Sequence, residues 1–266
     1  MNNLPETNNC ILDLENGWLT ICFNRPKKRN ALSEGLLLDI KITLESVESD
    51  RSVRGILFRG TGGIFCAGAD LEGLKKIATS GVNARDLAVE MSTQAGSIFE
   101  QINQMPQITV SVVEGAAMAG AFGITCATDI LITMADARYA LTETKIGLTP
   151  AQIAPYVINR LGFAQARRLM LLGSSFNGQK AFEMGMADYL ATTEDELVEY
   201  INKIKEKVRK CAPNAVSATK KILVENHAVN PKKAAELFSD CIVHEEGREG
   251  FASFFEKRKP YWNVDK

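Results

Sequence analysis

Residues 11–23 alternate between apolar and polar positions on either side of Glu15-Asn16-Gly17. That is the pattern of two paired strands joined by a tight turn in which Asn-Gly supplies the positive φ angles. After Ser33 the spacing changes: Leu36, Leu37, Ile40, Leu44 and Val47 recur at helical period and make one apolar stripe, with Ser33 placed to cap the first turn. Residues 53–58 form a short apolar run that ends in Arg59-Gly60-Thr61-Gly62-Gly63, and helical patterns follow a second loop to about residue 104. Residues 107–113 and 129–134 again read as buried strands. Strands alternating with helices predict an α/β fold with crossover connections, and the absence of a fixed-period sequence repeat argues against a solenoid of identical units.

From about Ala151 the patterns become wholly helical, over residues 156–172, 178–184, 194–208, 213–227 and 231–246. The tail is therefore expected to be a helical region and not a second sheet. The division is a core over residues 1–205 and a helical oligomerisation region over 206–266. A helical annex with apolar faces packs on a partner subunit or back on its own core, and the pattern allows both.

Of the 266 residues, 45% are hydrophobic, enough for a large core without a disulfide or metal staple. Lys and Arg number 31 against 32 Asp and Glu. This balance argues against nucleic acid or a strongly anionic membrane surface as partner. The opening MNNLPETNNC has neither the basic stretch nor the apolar run of a signal peptide, and no later segment reaches the about 18 uninterrupted apolar residues of a membrane span. A cytoplasmic location is the expectation. Six cysteines without a C-x-x-C pair fit reduced thiols, and two histidines, His227 and His244, make a histidine-rich metal centre an unexpected feature.

Two stretches of small residues could carry chemistry. Ile64-Phe65-Cys66-Ala67-Gly68-Ala69-Asp70 joins a strand to a helix, and residues 115–123 do the same after another buried strand. Each is either a plain tight turn or a loop whose backbone N–H groups approach a ligand. The second also leads into a helix N-terminus, which favours developing negative charge, and together the two could form an oxyanion hole. Neither contains G-x-G-x-x-G, and G-x-x-x-x-G-K-[ST] is missing throughout, which disfavours a dinucleotide-dependent dehydrogenase or a nucleoside triphosphatase.

Five segments in register resemble the enoyl-CoA hydratase/isomerase (crotonase) family. They are Asn24-Arg25-Pro26-Lys27-Lys28-Arg29-Asn30-Ala31-Leu32, Phe65-Cys66-Ala67-Gly68-Ala69-Asp70-Leu71, the glycine–alanine stretch ending in Asp129-Ile130, residues 138–148, and Phe255-Glu256-Lys257-Arg258-Lys259-Pro260. The resemblance implies an α/β spiral of ββα turns followed by a C-terminal helical trimerisation region, in homotrimers or homohexamers. It places the two oxyanion-hole amides on Ala69 and Gly120, the CoA-contacting turn on Lys27, Lys28 and Arg29, and the adenine contact on Ala67. Lys27, Lys28 and Arg29 equally fit a solvated loop, and Lys257 and Lys259 are either CoA contacts or exposed. The implied partner is an acyl-CoA thioester substrate, with CoA part of the substrate, no separate cofactor and no metal.

Many hydratases of this family use two glutamates, because adding water requires a base for the nucleophile and an acid for the α-carbon. Here one position is Glu143 and the other falls on Gly123, where a glutamate would need room for its side chain and a water. The loop after the second glutamate is also changed, to Thr149-Pro150-Ala151-Gln152-Ile153-Ala154-Pro155. The expectation is a hydratase-type lyase acting through a thioester enolate, with Glu143 handling protons. Residues 142–145 and 149–155, joined to Phe122-Gly123, resemble the branch that acts on branched or glutaconyl-type acyl-CoAs. A Δ3,Δ2-enoyl-CoA isomerase using the single Glu143, and an acyl-CoA-binding homologue without activity, remain the alternatives. Asp70, Glu114 and Asp129 read as structural rather than catalytic, with a place at the border of the pocket open to any of them, and the acyl pocket is sought after Glu72 and around residues 98–105.

Overall fold

The computed structural model describes residues 4–224 and 231–263. The hairpin lies where the alternation puts it: β1 (Cys10–Glu15) and β2 (Trp18–Phe23) pair antiparallel across Asn16 and Gly17, whose φ angles of 51° and 76° are left-handed. The strands β3 (Gly55–Gly60), β4 (Ile108–Val113), β5 (Ala116–Met118), β6 (Ile130–Met134), β7 (Arg138–Ala140), β8 (Ser175–Asn177) and β9 (Tyr189–Ala191) follow. They form a six-stranded sheet in the order β1-β2-β3-β4-β6-β9, parallel from β2 onward, and a three-stranded sheet in the order β5-β7-β8. Within a few residues β4 passes into β5, and β6 into β7, each pair crossing from the first sheet to the second. One helix returns the chain from β5 to β6, whereas after β7 two helices lead to β8 in the second sheet and a third leads to β9 in the first. The result is a spiral of ββα turns.

The helices α1 (Glu34–Val47), α2 (Leu71–Ala78), α3 (Ala84–Gln104), α4 (Gly120–Ala127), α5 (Ala154–Leu161), α6 (Phe163–Leu171), α7 (Gly178–Glu183) and α8 (Glu194–Arg209) surround the sheets. Ser33 caps α1 by accepting the Leu36 N–H at 3.2 Å. The period of two along each strand divides the core. Ile56 and Phe58 face a cluster shared with Leu36, Ile40, Phe99 and Phe122, whereas Leu57, Val110 and Ile132 face α8 through Leu197, Ile201 and Ile204.

The structure corrects the wholly helical reading of the chain after Ala151. β8 joins the second sheet and β9 the edge of the first. Strands of three residues are too short to show a period, and amphipathic helices surround them. The pattern over 156–172 is two helices, α5 and α6, broken at Gly162 with φ 73°. Residue 206, where the sequence divides core from annex, falls inside α8.

The C-terminal helices are α9 (Pro213–Val224), α10 (Pro231–Val243) and α11 (Glu245–Glu256). The pattern over 231–246 breaks at His244, whose Nδ1 caps α11 by accepting the Glu246 N–H at 3.2 Å. The end of the 213–227 pattern, including His227, lies outside the described residues. Among the described residues no helix is long and apolar enough to cross a membrane, and no three His, Cys, Asp or Glu side chains gather as a metal site.

One buried ion pair ties α9 to the sheet. Lys220 Nζ, on a side chain 8% exposed, donates to Asp129 Oδ2 at 2.6 Å and to the Gln107 carbonyl at 3.0 Å. Asp129 Oδ2 also accepts the Thr109 N–H and hydroxyl at 2.7 and 2.9 Å. Burial pulls the Lys220 ammonium below the usual lysine range, and Asp129 opposes that pull. Lys220→Met removes one partner and leaves the other charged, so we expect a loss of about 3–5 kcal/mol in denaturant unfolding. Exposed Lys203→Met serves as the comparison and should stay within about 0.5 kcal/mol.

Candidate active site

Two backbone N–H groups open into one cavity because each sits just past a one-sided contact. Residues 64–70 run beside two neighbours. Leu32 pairs with Ala69 in a parallel bridge, the Leu32 N–H donating to the Gly68 carbonyl at 2.8 Å and the Asp70 N–H to the Leu32 carbonyl at 3.1 Å. Residues 68 and 70 therefore make the bonds, and the Ala69 N–H points the other way. Cys66 is bridged to Ala117 on β5, which places this loop against the entry to α4. Gly120 begins α4, where the first-turn N–H groups have no intrahelical acceptor. Neither the Ala69 nor the Gly120 N–H has an acceptor among the described residues, and both residues line a cavity of about 820 Å³.

Glu143 lines the same cavity. It opens a short 3₁₀ turn, Glu143–Ile146, closed by Gly147 in the left-handed region and by the Leu148 N–H donating to the Glu143 carbonyl at 2.9 Å. Its Oε2 is shielded from solvent and has no hydrogen-bond partner. Burial pushes the carboxyl above the usual carboxylate range, and a backbone N–H only partly offsets this. A half-buried carboxylate with one oxygen unpartnered, in the same cavity as two unused amide donors, can move a proton next to a polarised carbonyl.

The position that could hold a second carboxylate is closed. A Cβ on Gly123 would lie 2.1 Å from Ile153 Cγ2 and 3.4 Å from Phe99 Cε1. Ile153 and Phe99 are both almost fully buried and line the cavity. The altered loop thus places an apolar side chain where a residue larger than glycine at 123 would project, and a glutamate there has no room. Gln152, next along, lies against Gly96 of α3 and donates to Ser92 Oγ at 3.1 Å, holding the loop over the cavity.

The outer wall comes from Lys76 and Ile77 of α2 and from Leu87, Met91 and Ala95 of α3. Of the stretch 98–105 only Phe99 reaches the cavity. The wall therefore sits one to three turns earlier on α3 than the sequence suggested. Its signal was the run of apolar residues at Leu87, Met91 and Ala95, spaced by four, of which Leu87 is exposed and the other two are half-buried.

Lys27, Lys28 and Arg29 lie outside this cavity on the turn that precedes Leu32. Lys28 Nζ bonds Glu72 Oε1 at 2.6 Å on the surface, and the Arg29 carbonyl accepts the Ala67 N–H at 3.0 Å. That bond commits the amide of Ala67. Arg25 pairs with Asp70 at 2.9 Å, Arg59 with Glu114 at 2.7 Å and Lys220 with Asp129, so each of these three carboxylates has a cation. Lys257 caps the end of α11 in the left-handed region.

Comparison with known proteins gives the same arrangement a family. Residues 13–265 match the profile of the enoyl-CoA hydratase/isomerase family. Crotonyl-CoA hydratase of Syntrophomonas wolfei is 28% identical over 257 residues, covering 94% of this chain and 96% of that protein. The structure of Pseudomonas aeruginosa AtuE superposes with a TM-score of 0.91 at 37% identity, over 97% of this chain and 100% of the other. That of an enoyl-CoA hydratase/isomerase from Marinobacter aquaeolei gives 0.91 at 34%, over 96% and 99%. With the profile matched along nearly its whole length and the spiral fold shared, the chain belongs to the enoyl-CoA hydratase/isomerase family.

Proposed function

We propose that this chain is an enoyl-CoA hydratase-type lyase acting through an oxyanion-stabilised enolate, and that its acyl group is branched or glutaconyl-type. The observation that carries the first part is the unpartnered Glu143 Oε2 in the same cavity as the free Ala69 and Gly120 amides. In this reading the thioester carbonyl oxygen accepts from both amides. Glu143 takes a proton from water as the hydroxyl adds at C3, and the electron pair of the C2–C3 double bond moves onto the thioester oxygen. The enolate then collapses by taking the proton from Glu143 at C2. Supporting hydration, the relative from Syntrophomonas wolfei carries the name crotonyl-CoA hydratase. The acyl class rests on the resemblance of residues 142–145 and 149–155. The reaction as written uses CoA as part of the substrate and calls on no further cofactor, and a cytoplasmic location fits it.

A second reading has a specific observation behind it. With Ile153 occupying the space beside Gly123, position 123 offers Glu143 no second carboxylate, and one base can take a proton from C2 and return it at C4. That is Δ3,Δ2-isomerisation. A panel of enoyl-CoA thioesters incubated in heavy-oxygen water and read by mass spectrometry decides: label in the product is hydration, and an unlabelled shifted double bond is isomerisation. Binding without turnover across the panel would overturn both readings in favour of a non-catalytic acyl-CoA-binding protein.

The CoA contact assigned to Lys27, Lys28 and Arg29 rests on their charge and on the tie between this turn and the loop that carries Ala69. The oligomer, a homotrimer or homohexamer, draws on the apolar surface of the C-terminal helices. Phe254 and Phe255 are 76% and 75% exposed, and Phe238 and Phe251 line a mainly apolar cavity of about 790 Å³ between α9, α10 and α11. An unpartnered apolar face of this kind marks an interaction surface.

Glu143→Gln should lower turnover by roughly 10²–10⁴-fold with a much smaller change in KM, as expected when general acid–base catalysis is removed. In the unaltered enzyme kcat should fall on acidification, because protonated Glu143 cannot act as a base, with a midpoint above the usual carboxylate range. Replacing Lys27, Lys28 and Arg29 together with Ala should weaken CoA binding and flatten its dependence on salt, measured by calorimetry at two ionic strengths. Sedimentation at micromolar concentration should give a trimer or a multiple of it, and a stable monomer would dismiss the assembly.

A further inference from the structure

The two donors of the cavity are each preceded by a residue with positive φ, and these two residues face each other. Gly68, before Ala69, has φ 90°, and a methyl built on it would lie 2.7 Å from the Met118 carbonyl oxygen and 3.2 Å from Ala119 Cβ. Ala119, before Gly120, has φ 49° and ψ −116°. Glycine enters that region freely, whereas a residue with a Cβ is held there only when its surroundings impose it.

The surroundings do impose it. The Ala119 N–H donates to the Ala140 carbonyl on β7 at 2.8 Å, and the Ala119 carbonyl accepts the Gly123 N–H at 3.1 Å as the first bond of α4. The peptide planes on both sides of Ala119 are thus fixed, one by the second sheet and one by the helix. The backbone between them has to turn through positive φ for the chain to enter α4. On the facing loop, Leu32 holds the Gly68 carbonyl, and the Gly68 N–H lies 3.4 Å from the buried Cys66 Sγ. Each loop is anchored from behind, and past the Cys66–Ala117 bridge that joins them the Ala119 methyl faces Gly68.

We propose that Ala119 is a positioning residue that sets the spacing of the Ala69 and Gly120 donors, its methyl acting as a spacer against Gly68. The inference rests on the reading of those amides as the oxyanion hole. Removing the methyl leaves a gap between the loops and releases the backbone at the same residue, so the donors lose their fixed separation although neither has been altered. Oxyanion donors act through preorganised geometry, and this loss appears in the rate and not in binding.

Ala119→Gly and Ala119→Ser are the variants, since glycine tolerates the backbone and serine keeps the Cβ. Turnover and melting temperature are measured, together with the carbonyl stretch of bound butyryl-CoA labelled with ¹³C at the thioester carbon. That saturated thioester has no double bond to hydrate or shift. In A119G we expect kcat to fall by about tenfold or more, short of the roughly 10²–10³-fold lost with a whole donor. KM should stay within about twofold. The melting temperature should be unchanged or higher, and the red shift of the carbonyl band on binding smaller than in the unaltered protein. A119S should keep both the rate and the band shift. An unchanged band shift in A119G overturns the proposal whatever the rate, and so does equal loss of melting temperature and rate in both variants, which marks a purely structural role. If the unaltered protein turns over no enoyl-CoA, the functional reading fails separately, and the band shift alone still decides the role of Ala119.

Discussion

A backbone N–H directed away from its only strand partner must find an acceptor, and the site depends on that requirement at residue 69. Leu32 pairs with the loop through the carbonyl of 68 and the N–H of 70, which leaves the amide between them facing open space. An unmet donor next to a cavity attracts a carbonyl oxygen in proportion to how well it is held. The spiral supplies the holding. Because β4 turns into β5 and β6 into β7, the loops that carry the chemistry lie across the second sheet, where Cys66, Ala117 and Tyr139 stand side by side.

The far end of the same helix shows how the fold supports this. α4 is eight residues long and almost wholly buried, so its last carbonyls need donors inside the protein. Arg160 on α5 provides them, with Nη2 donating to the Thr125 and Thr128 carbonyls at 3.3 and 3.2 Å and Nη1 to the Asp129 carbonyl at 3.3 Å. A cation at a helix C-terminus also complements the helix dipole. Asp129 in turn receives Lys220 from α9, so the C-terminal helices are connected through buried charge to the element that presents Gly120.

Much of the frame was legible in the chain. Asn16-Gly17, the stripe from Leu36 to Val47 and the apolar runs of β3, β4 and β6 each carry a local signal strong enough to place an element. β8 and β9 carry none, since three residues make less than two periods of a strand and their identity is decided by which neighbour offers a free edge. Gly162 looked like an ordinary helix position until its backbone showed the break. For the site, the residue types at 69, 120 and 143 came through the likeness of five segments to a family, and the structure places all three at one cavity. The contact of Ile153 with Gly123 could not be read, because it joins positions thirty residues apart and depends on how α5 begins. The α3 wall was missed for a related reason: its apolar residues line the cavity, and periodicity cannot tell a cavity-facing stripe from a core-facing one.

The packing of Ile153 against Gly123 also couples the two positions to each other. A chain holding this pair cannot gain a carboxylate at 123 by one substitution, because the side chain would meet Ile153 Cγ2, and shrinking Ile153 first would empty a packed apolar niche with nothing to fill it. Each single step is unfavourable while the double step is not subject to the same clash. The two positions therefore change together or not at all, and an acidic side chain at 123 requires a smaller residue at 153 in the same step.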